Sequence, residues 1–393
     1  MPGKFTVTDS LAAGGARVPV FTNEFWTARQ RQAASIHEIS YRACFKPQLP
    51  RFFIRLLTAA GDPVYDPFSG RGTTAIEAAL LGRKVIANDV NPLSKIICQP
   101  RLAAPASGAL SERLAAIPRQ DGLEAETDLS MFFHPETLAE ILSLRRYLQE
   151  RRERGLEDET DRWIRMVATN RLTGHSSGFF SVYTLPPNQA ASPENQVKIN
   201  RKRHQQPDYR ETKSIILKKT HSLLKGLGRE DYDNLRRAGT TALFLEADAR
   251  YTADIAGGSV QLTVTSPPFL DVVQYTQDNW LRCWFNQIDS EKIEKQITMS
   301  KTLEDWCAVM GAVFKELYRV TMREGWVAFE VGEVRRGRIR LEEAVIPLGL
   351  EAGFKCIAVL INRQEFTKTA NIWGIKNNTA GTNSNRIVLF FKG

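Results

Sequence analysis

The chain is poor in cysteine and histidine, five of each among 393 residues. Cys44, Cys98, Cys283, Cys307 and Cys356 are odd in number, far apart and never in a CxxC pair. That excludes a disulfide framework and a zinc ribbon, and fits a reducing compartment. The histidines lack metal-ligand spacing, so no metal site is expected. No apolar run reaches the roughly 18 residues of a membrane span. Residues 1–20 hold no apolar segment of signal-peptide character, so a cytoplasmic location is expected. No internal repeat is visible.

What is present is an ordinary globular composition, 42% hydrophobic and 25% charged, over a length that suits one large core with an inserted lobe. Basic residues outnumber acidic ones, 53 Lys and Arg against 44 Asp and Glu, for a net charge of +9. An acidic partner follows, nucleic acid first and an anionic membrane surface second. The excess concentrates between Lys198 and Lys225, where nine Lys and Arg face only Asp208 and Glu211.

Residues 1–36 read as a loose arm, with helical character from Thr27 to His37. A helix over 51–57 ends at Gly61. Pro63 to Asp66 reads as a strand, a glycine-rich turn follows, then a helix over 75–81 and a second strand over 84–87. Strand, tight turn, helix, strand begins a parallel α/β sheet. The rhythm is lost over 103–239, where helices are expected from Pro135 to Arg154 and from Asp161 to Thr169, followed by a loop-rich stretch over 170–209. It resumes with strands at 241–245 and 260–264, a helix over 303–320, a strand over 326–331, a helix over 341–352 and strands at 356–361 and 387–391. The expected fold is a doubly wound α/β sheet, with residues 37–102 and 240–393 as two parts of one catalytic domain and 103–239 as an inserted basic lobe.

Three constellations carry chemistry. In the first, Asp66-Pro-Phe-Ser-Gly-Arg-Gly-Thr-Thr74, Gly70 and Gly72 let the backbone turn tightly at a helix start whose free N–H groups face a ligand. The Gly70, Gly72, Ala75 spacing also fits a dinucleotide turn, but the carboxylate of Asp66 suits a cationic ligand better than a pyrophosphate. In the second, Asp89 at a strand tip 17 residues beyond Gly72 can accept both hydroxyls of a ribose, or can cap a helix. Asp248, ending the next strand, can accept from an adenine amine or serve as a cap. In the third, Thr265-Ser-Pro-Pro-Phe269, two prolines stop the strand and leave its last carbonyls pointing into a crevice. If sheet order reverses between the first and fourth strands, the tips at Asp66 and Ser266 flank one cleft.

Together these motifs resemble the S-adenosylmethionine-dependent amino-methyltransferases of DNA, which act on exocyclic amines of cytosine or adenine. The resemblance implies a class I methyltransferase fold, a doubly wound seven-stranded, mostly parallel sheet, and S-adenosyl-L-methionine as cofactor. Phe45-Lys46-Pro47 is similar to the family's extra cofactor-packing motif. By the same resemblance Phe68, Gly70 and Gly72 line the methionine end with Thr73 and Thr74 beside them, Asp89 holds the ribose and Asp248 the adenine. Ser266, Pro267, Pro268 and Phe269 are the implied catalytic set. Ser266 and the Pro267 carbonyl hold the amine, and Phe269 stacks on a base extruded from the duplex. Serine before the two prolines resembles the N4-cytosine branch, with N6-adenine DNA methylation and RNA amine methylation next in order. From different classes come an inactive nucleic-acid-binding module and a nicotinamide-dependent oxidoreductase. No Pro-Cys dipeptide of a C5-cytosine enzyme occurs.

DNA is the expected partner, and a separate restriction endonuclease a further one. Arg201, Lys202, Arg203, Tyr209, Arg210, Lys218 and Lys219 are the expected phosphate contacts. Trp373, in the polar loop from Phe366 to Asn385, is placed to close over the base or touch phosphates.

Overall fold

The computed structural model describes residues 6–26, 33–42, 44–187, 189–268, 275–296, 302–331, 333–334, 339–363 and 384–393. Its centre is a nine-stranded sheet. In chain order the strands are β1 (Thr6–Ala13), β2 (Ala16–Asn23), β3 (Pro63–Asp66), β4 (Lys84–Asn88), β5 (Leu243–Leu245), β6 (Val260–Thr265), β7 (Thr321–Val331), β10 (Lys355–Arg363) and β11 (Ser384–Phe391). They lie side by side as β1-β2-β10-β11-β7-β6-β3-β4-β5, and a small separate ribbon pairs β8 (Glu333–Val334) with β9 (Ile339–Arg340).

Seven of the nine are the strands expected from the sequence. Chain order runs outward from β3 through β4 to β5, then returns to β6 on the other side of β3. The expected reversal is therefore present, with β3 parallel to both β4 and β6. The two added strands correct the expectation of a loose arm. Residues 6–23 form a hairpin about Gly14-Gly15, both at positive φ, and β2 extends the sheet in parallel with β10. The signal was alternation: Val18 and Val20 are buried while Arg17 and Pro19 face out. The helix expected from Thr27 to His37 falls partly on 27–32, outside the described residues. Its described end is a single 3-10 turn, Ser35–His37.

Alternation along the strands divides the core in two. Val64, Leu262, Val264, Ala328, Ile387 and Leu389 face one apolar layer. Their neighbours Tyr65, Val327, Phe329, Val388 and Phe390 face the other. The first layer is covered by α1 (Gln48–Leu57), α2 (Thr73–Leu80) and α3 (Pro92–Cys98), the second by α13 (Leu303–Val320) and α14 (Leu341–Glu351).

Between β4 and β5 the chain forms α4 (Ser107–Ala116), α5 (Pro135–Glu153), α6 (Glu159–Arg171), α7 (Pro193–Arg203), α8 (Thr212–Leu224) and α9 (Arg229–Thr241). Phe132, Ile141, Trp163, Phe180, Ile216 and Leu223 from this stretch join the same apolar cluster as α1 and α2. Helix α7 lies in the stretch expected to be loop. Ser192 caps it by accepting from Asn195 N, Pro193 opens it and His204, left-handed, closes it. Helix α9 packs on α2 and delivers the chain to β5 as a crossover. After β6 come α10 (Tyr275–Asp278), α11 (Trp280–Asn286) and α12 (Ser290–Gln296). No helix among the described residues is long and apolar enough to cross a membrane.

Candidate active site at the tips of β3, β4 and β6

The glycine turn and the Ser-Pro-Pro segment meet because β3 and β6 are neighbours, with Val64 opposite Leu262 and Tyr65 opposite Thr263. Beyond the ladder, Thr265 Oγ1 donates to Asp66 Oδ1 at 2.6 Å, and Thr74 Oγ1 donates to the Val264 carbonyl at 3.0 Å. The tips of β4 and β5 are locked to the same corner by Asn88, fully buried. Its amide donates to the carbonyls of Pro67 (3.2 Å) and Ala247 (2.9 Å) and its oxygen accepts from Ala247 N at 3.0 Å.

These tips surround an open cleft of about 1080 Å³. Of the expected cofactor residues, Phe45, Asp66, Phe68, Gly70, Thr73, Asp89 and Asp248 line it, and Ser266 and Pro268 line it from β6. Val309, Met310 and Val313 of α13 add an apolar wall. Lys46, Pro47, Gly72, Thr74 and Pro267 do not line it. Lys46 and Pro47 lead into α1, where the Lys46 and Pro47 carbonyls accept from Leu49 N and Arg51 N. Thr74 points at β6. Gly72, at φ +75°, caps α2 and lies against Cys98, where a Cβ would stand 2.1 Å from the sulfur. It is a packing glycine and not a ligand one. Arg71 ties the Phe45 segment to the turn by donating to the carbonyls of Ile39 and Phe45, each at 3.2 Å.

The cleft is electrostatically tuned. Burial pushes the Asp66 carboxyl up to about 7, against the pull of its bonds from Thr265 and Phe68 N. Asp89 accepts from Gly70 N (2.8 Å) and Asn91 N (2.9 Å), yet burial still raises it to about 6. Each Asp89 oxygen keeps a lone pair for a ligand hydroxyl. Asp248 differs. It is half-exposed and held by a bidentate pair from Arg250, whose hydrogen bond draws its pKa below the usual range. It also accepts from Arg250 N, a turn and not a helix cap.

On the β6 side, Trp306 Nε1 donates to the Pro268 carbonyl at 3.0 Å, fixing the double-proline tip against α13. Ser266 follows Thr265, the last β6 residue paired with β7, and acts on the carboxyl of Glu330, which follows the partner Phe329. Glu330 is 7% exposed and takes a second bond from Asn385 Nδ2. Burial lifts its carboxyl to about 7 in spite of both donors. The sequence reading missed Glu330, Trp306 and Asn88. The signal for Glu330 was a lone carboxylate between Phe329 and Val331 in an apolar strand. Phe269 and Trp373 lie outside the described residues.

The expected phosphate contacts separate into two groups. Arg201, Lys202 and Arg203 are exposed on α7, with the Arg203 guanidinium 3.7 Å above the Tyr183 ring, and line neither cavity. Tyr209, Arg210, Lys218 and Lys219 border a second, open groove. Three of them have internal partners, Lys219 through Glu38 at 3.6 Å. Tyr209 donates to Glu140 at 2.7 Å, and Arg210 pairs with Asp208 and donates to the carbonyls of Ser176, Phe179 and Ser181.

Residues 17–96, from β2 through the cofactor turn and Asp89 to α3, match the N6/N4 methyltransferase family, described as DNA methylase. The chain resembles a DNA amino-methyltransferase. Over 74 residues it is 32% identical to the Type II methyltransferase M.MjaII of Methanocaldococcus jannaschii, a match covering 19% of this chain and 14% of that relative. Solved structures similar to it include TTHA0409 from Thermus thermophilus complexed with S-adenosyl-L-methionine, at 22% identity over 37% of this chain and 53% of that one, TM-score 0.24. The rRNA methyltransferase aviRa from Streptomyces viridochromogenes is similar at 12% identity over 94% and 91%, TM-score 0.36. These structural likenesses are distant, and the fold assignment rests on the strand order. Because Gly72 packs on Cys98, Gly72→Ala is expected to lower stability by about 2 kcal/mol or more, from strained φ and overpacking. Urea denaturation checks this.

Proposed function

We propose that the chain transfers a methyl group from S-adenosyl-L-methionine to the exocyclic N4 amine of cytosine in DNA. The observation that carries the reading is the shared cleft, in which a carboxylate-rich glycine turn faces a Ser-Pro-Pro strand end. The residues present fit the cofactor. Two recessed carboxylates with raised pKa values and, among the described residues, no cationic side chain bonded to them suit a cationic amino-acid end and a ribose diol, and the α13 wall suits an adenine face. Asp66 and the turn would hold the methionine end, Asp89 the ribose, and Asp248 the adenine once its pair with Arg250 opens. When bound, S-adenosyl-L-methionine supplies an electrophilic methyl on a sulfonium.

The remaining chemistry belongs to the chain. An aryl amine is a weak nucleophile because its lone pair is spread into the ring, so the site must localise that pair and remove a proton. Ser266 donates its hydroxyl proton toward Glu330, which leaves its oxygen to accept from the amine N–H. With the methyl group moving to nitrogen and its bonding pair staying on sulfur as a neutral thioether, the amine proton would pass to Ser266 Oγ and the Ser266 proton to the Glu330 carboxylate. The product amine is then neutral. Phe269 is the proposed stacking face for the extruded base. The N4/N6 family match supports DNA amine methylation, and the serine at 266 favours cytosine. A restriction endonuclease acting separately is the proposed partner, and the cytoplasm the proposed location.

Incubating the chain with methyl-labelled cofactor and DNA, then digesting to nucleosides, is expected to put label in N4-methylcytosine. Label in N6-methyladenine alone, or in RNA alone, would replace the cytosine reading. Glu330 must be ionised to take the proton, so kcat at saturating cofactor is expected to rise as pH passes through about 7. Glu330→Gln keeps a hydrogen-bonding side chain but loses the acceptor. It is expected to lower kcat by ~10²-fold and abolish that rise, with cofactor affinity unchanged. Single-turnover rates across pH check this.

A further inference from the structure

We propose that the groove beside α8 binds the DNA phosphodiester backbone through Arg171, Lys218 and Lys219, a placement that rests on the reading above. The groove, about 1200 Å³ including its opening to solvent, is rimmed by Glu38, Tyr209 and Arg210 as well as these three cations. Arg171 ends α6 and is 9% exposed. Its guanidinium lies 3.9 Å above the Phe179 ring and is anchored by donating to Asn170 O (3.2 Å) and Asn170 Oδ1 (2.6 Å). Among the described residues no carboxylate bonds it. Lys219, its side chain 10% exposed, pairs with Glu38 at 3.6 Å.

Arg171 and Lys219 repel one another, and buried Arg282 adds to the positive field at Arg171. Among the described residues Glu38 is the carboxylate acting on both, and it is half-exposed. Burial and Arg171 together pull the Lys219 ammonium down to about 8. The other groove acids are already engaged, Asp208 by Arg210 and Glu211 by Ser214. Recessed cations in excess of their carboxylates are costly unless an anion arrives. A guanidinium with its plane fixed by an aromatic ring is preorganised for phosphate oxygens.

The groove is also correctly placed. Glu38 on its rim is three residues from Tyr41, which lines the active-site cleft, so their Cα atoms are at most ~11 Å apart. That is no more than about three base-pair steps along the axis of a duplex. The segment between is held by Asn170 and Arg282, both donating to the Ser40 carbonyl. The groove thus lies close to the cleft along this segment, whereas the α7 cluster at Arg201 to Arg203 borders neither cavity.

The test is binding of a labelled duplex oligonucleotide to the full chain by fluorescence anisotropy across a potassium chloride series. Lys218→Gln with Lys219→Gln is expected to reduce the log-log salt slope by about two units. Lys218→Gln alone, at an exposed position, is expected to reduce it by about one. Calorimetric affinity for S-adenosyl-L-methionine should be unchanged in both. An unchanged slope in the Lys218 and Lys219 variants, with the wild-type chain still methylating DNA, would overturn the groove and leave the function standing. A wild-type chain that neither binds nor methylates DNA would overturn the function itself.

Discussion

A single hydrogen bond, from Thr265 Oγ1 to Asp66 Oδ1 at 2.6 Å, joins segments 199 residues apart in the chain. It sits at the point where β3 and β6 run side by side. Everything assigned to the site depends on that adjacency. The ladder between the two strands sets the direction of both tips, and Thr74 and Asn88 brace the corner from either side. The same bond gives Thr265 a reason to precede the serine. A hydroxyl there engages the Asp66 oxygen nearest β6 and leaves the next residue to face the cleft.

Asp66 and Asp89 line the cleft and Glu330 lies buried behind Ser266, and desolvation raises each carboxyl toward neutrality. A folded protein tolerates such groups where a ligand or a reaction compensates their desolvation. Asp66 and Asp89 are bonded to backbone and hydroxyl donors on the cofactor side. Glu330 is bonded to Ser266 on the other side. The arrangement separates two tasks, holding a cation and accepting a proton, by placing their carboxylates on opposite sides of the β3 to β6 seam. Trp306 supports the second task by holding the Pro268 carbonyl, so the serine is presented from a fixed turn.

The elements that position the site were legible because their signals are local. The Asp66 to Thr74 turn, the strand stop at Pro267-Pro268 and the helix over 303–320 are each written in adjacent residues. Gly72 was misassigned for a reason equally physical. A positive-φ glycine looks alike whether a ligand or a cysteine sulfur occupies the space beside it, and here Cys98 does. Glu330 and Trp306 were out of reach because their roles arise from register and helix packing across long separations. The hairpin over 6–23 and helix α7 were missed although alternation and a Ser-Pro start mark them. Composition suggested a loose arm and a loop, and tertiary packing overrode it.

The central claim is that one cleft binds a cationic nucleoside donor through Asp66 and Asp89. Calorimetric titration of S-adenosyl-L-methionine at pH 5.5 and pH 8 tests it most directly. With the free carboxyls titrating at about 7 and about 6, a cationic ligand must displace their protons in acid. Affinity is therefore expected to be at least ~10-fold tighter at the higher pH, with Asp89→Asn weakening it at both. Binding that is absent, or that is indifferent to pH and to Asp89, would contradict the account.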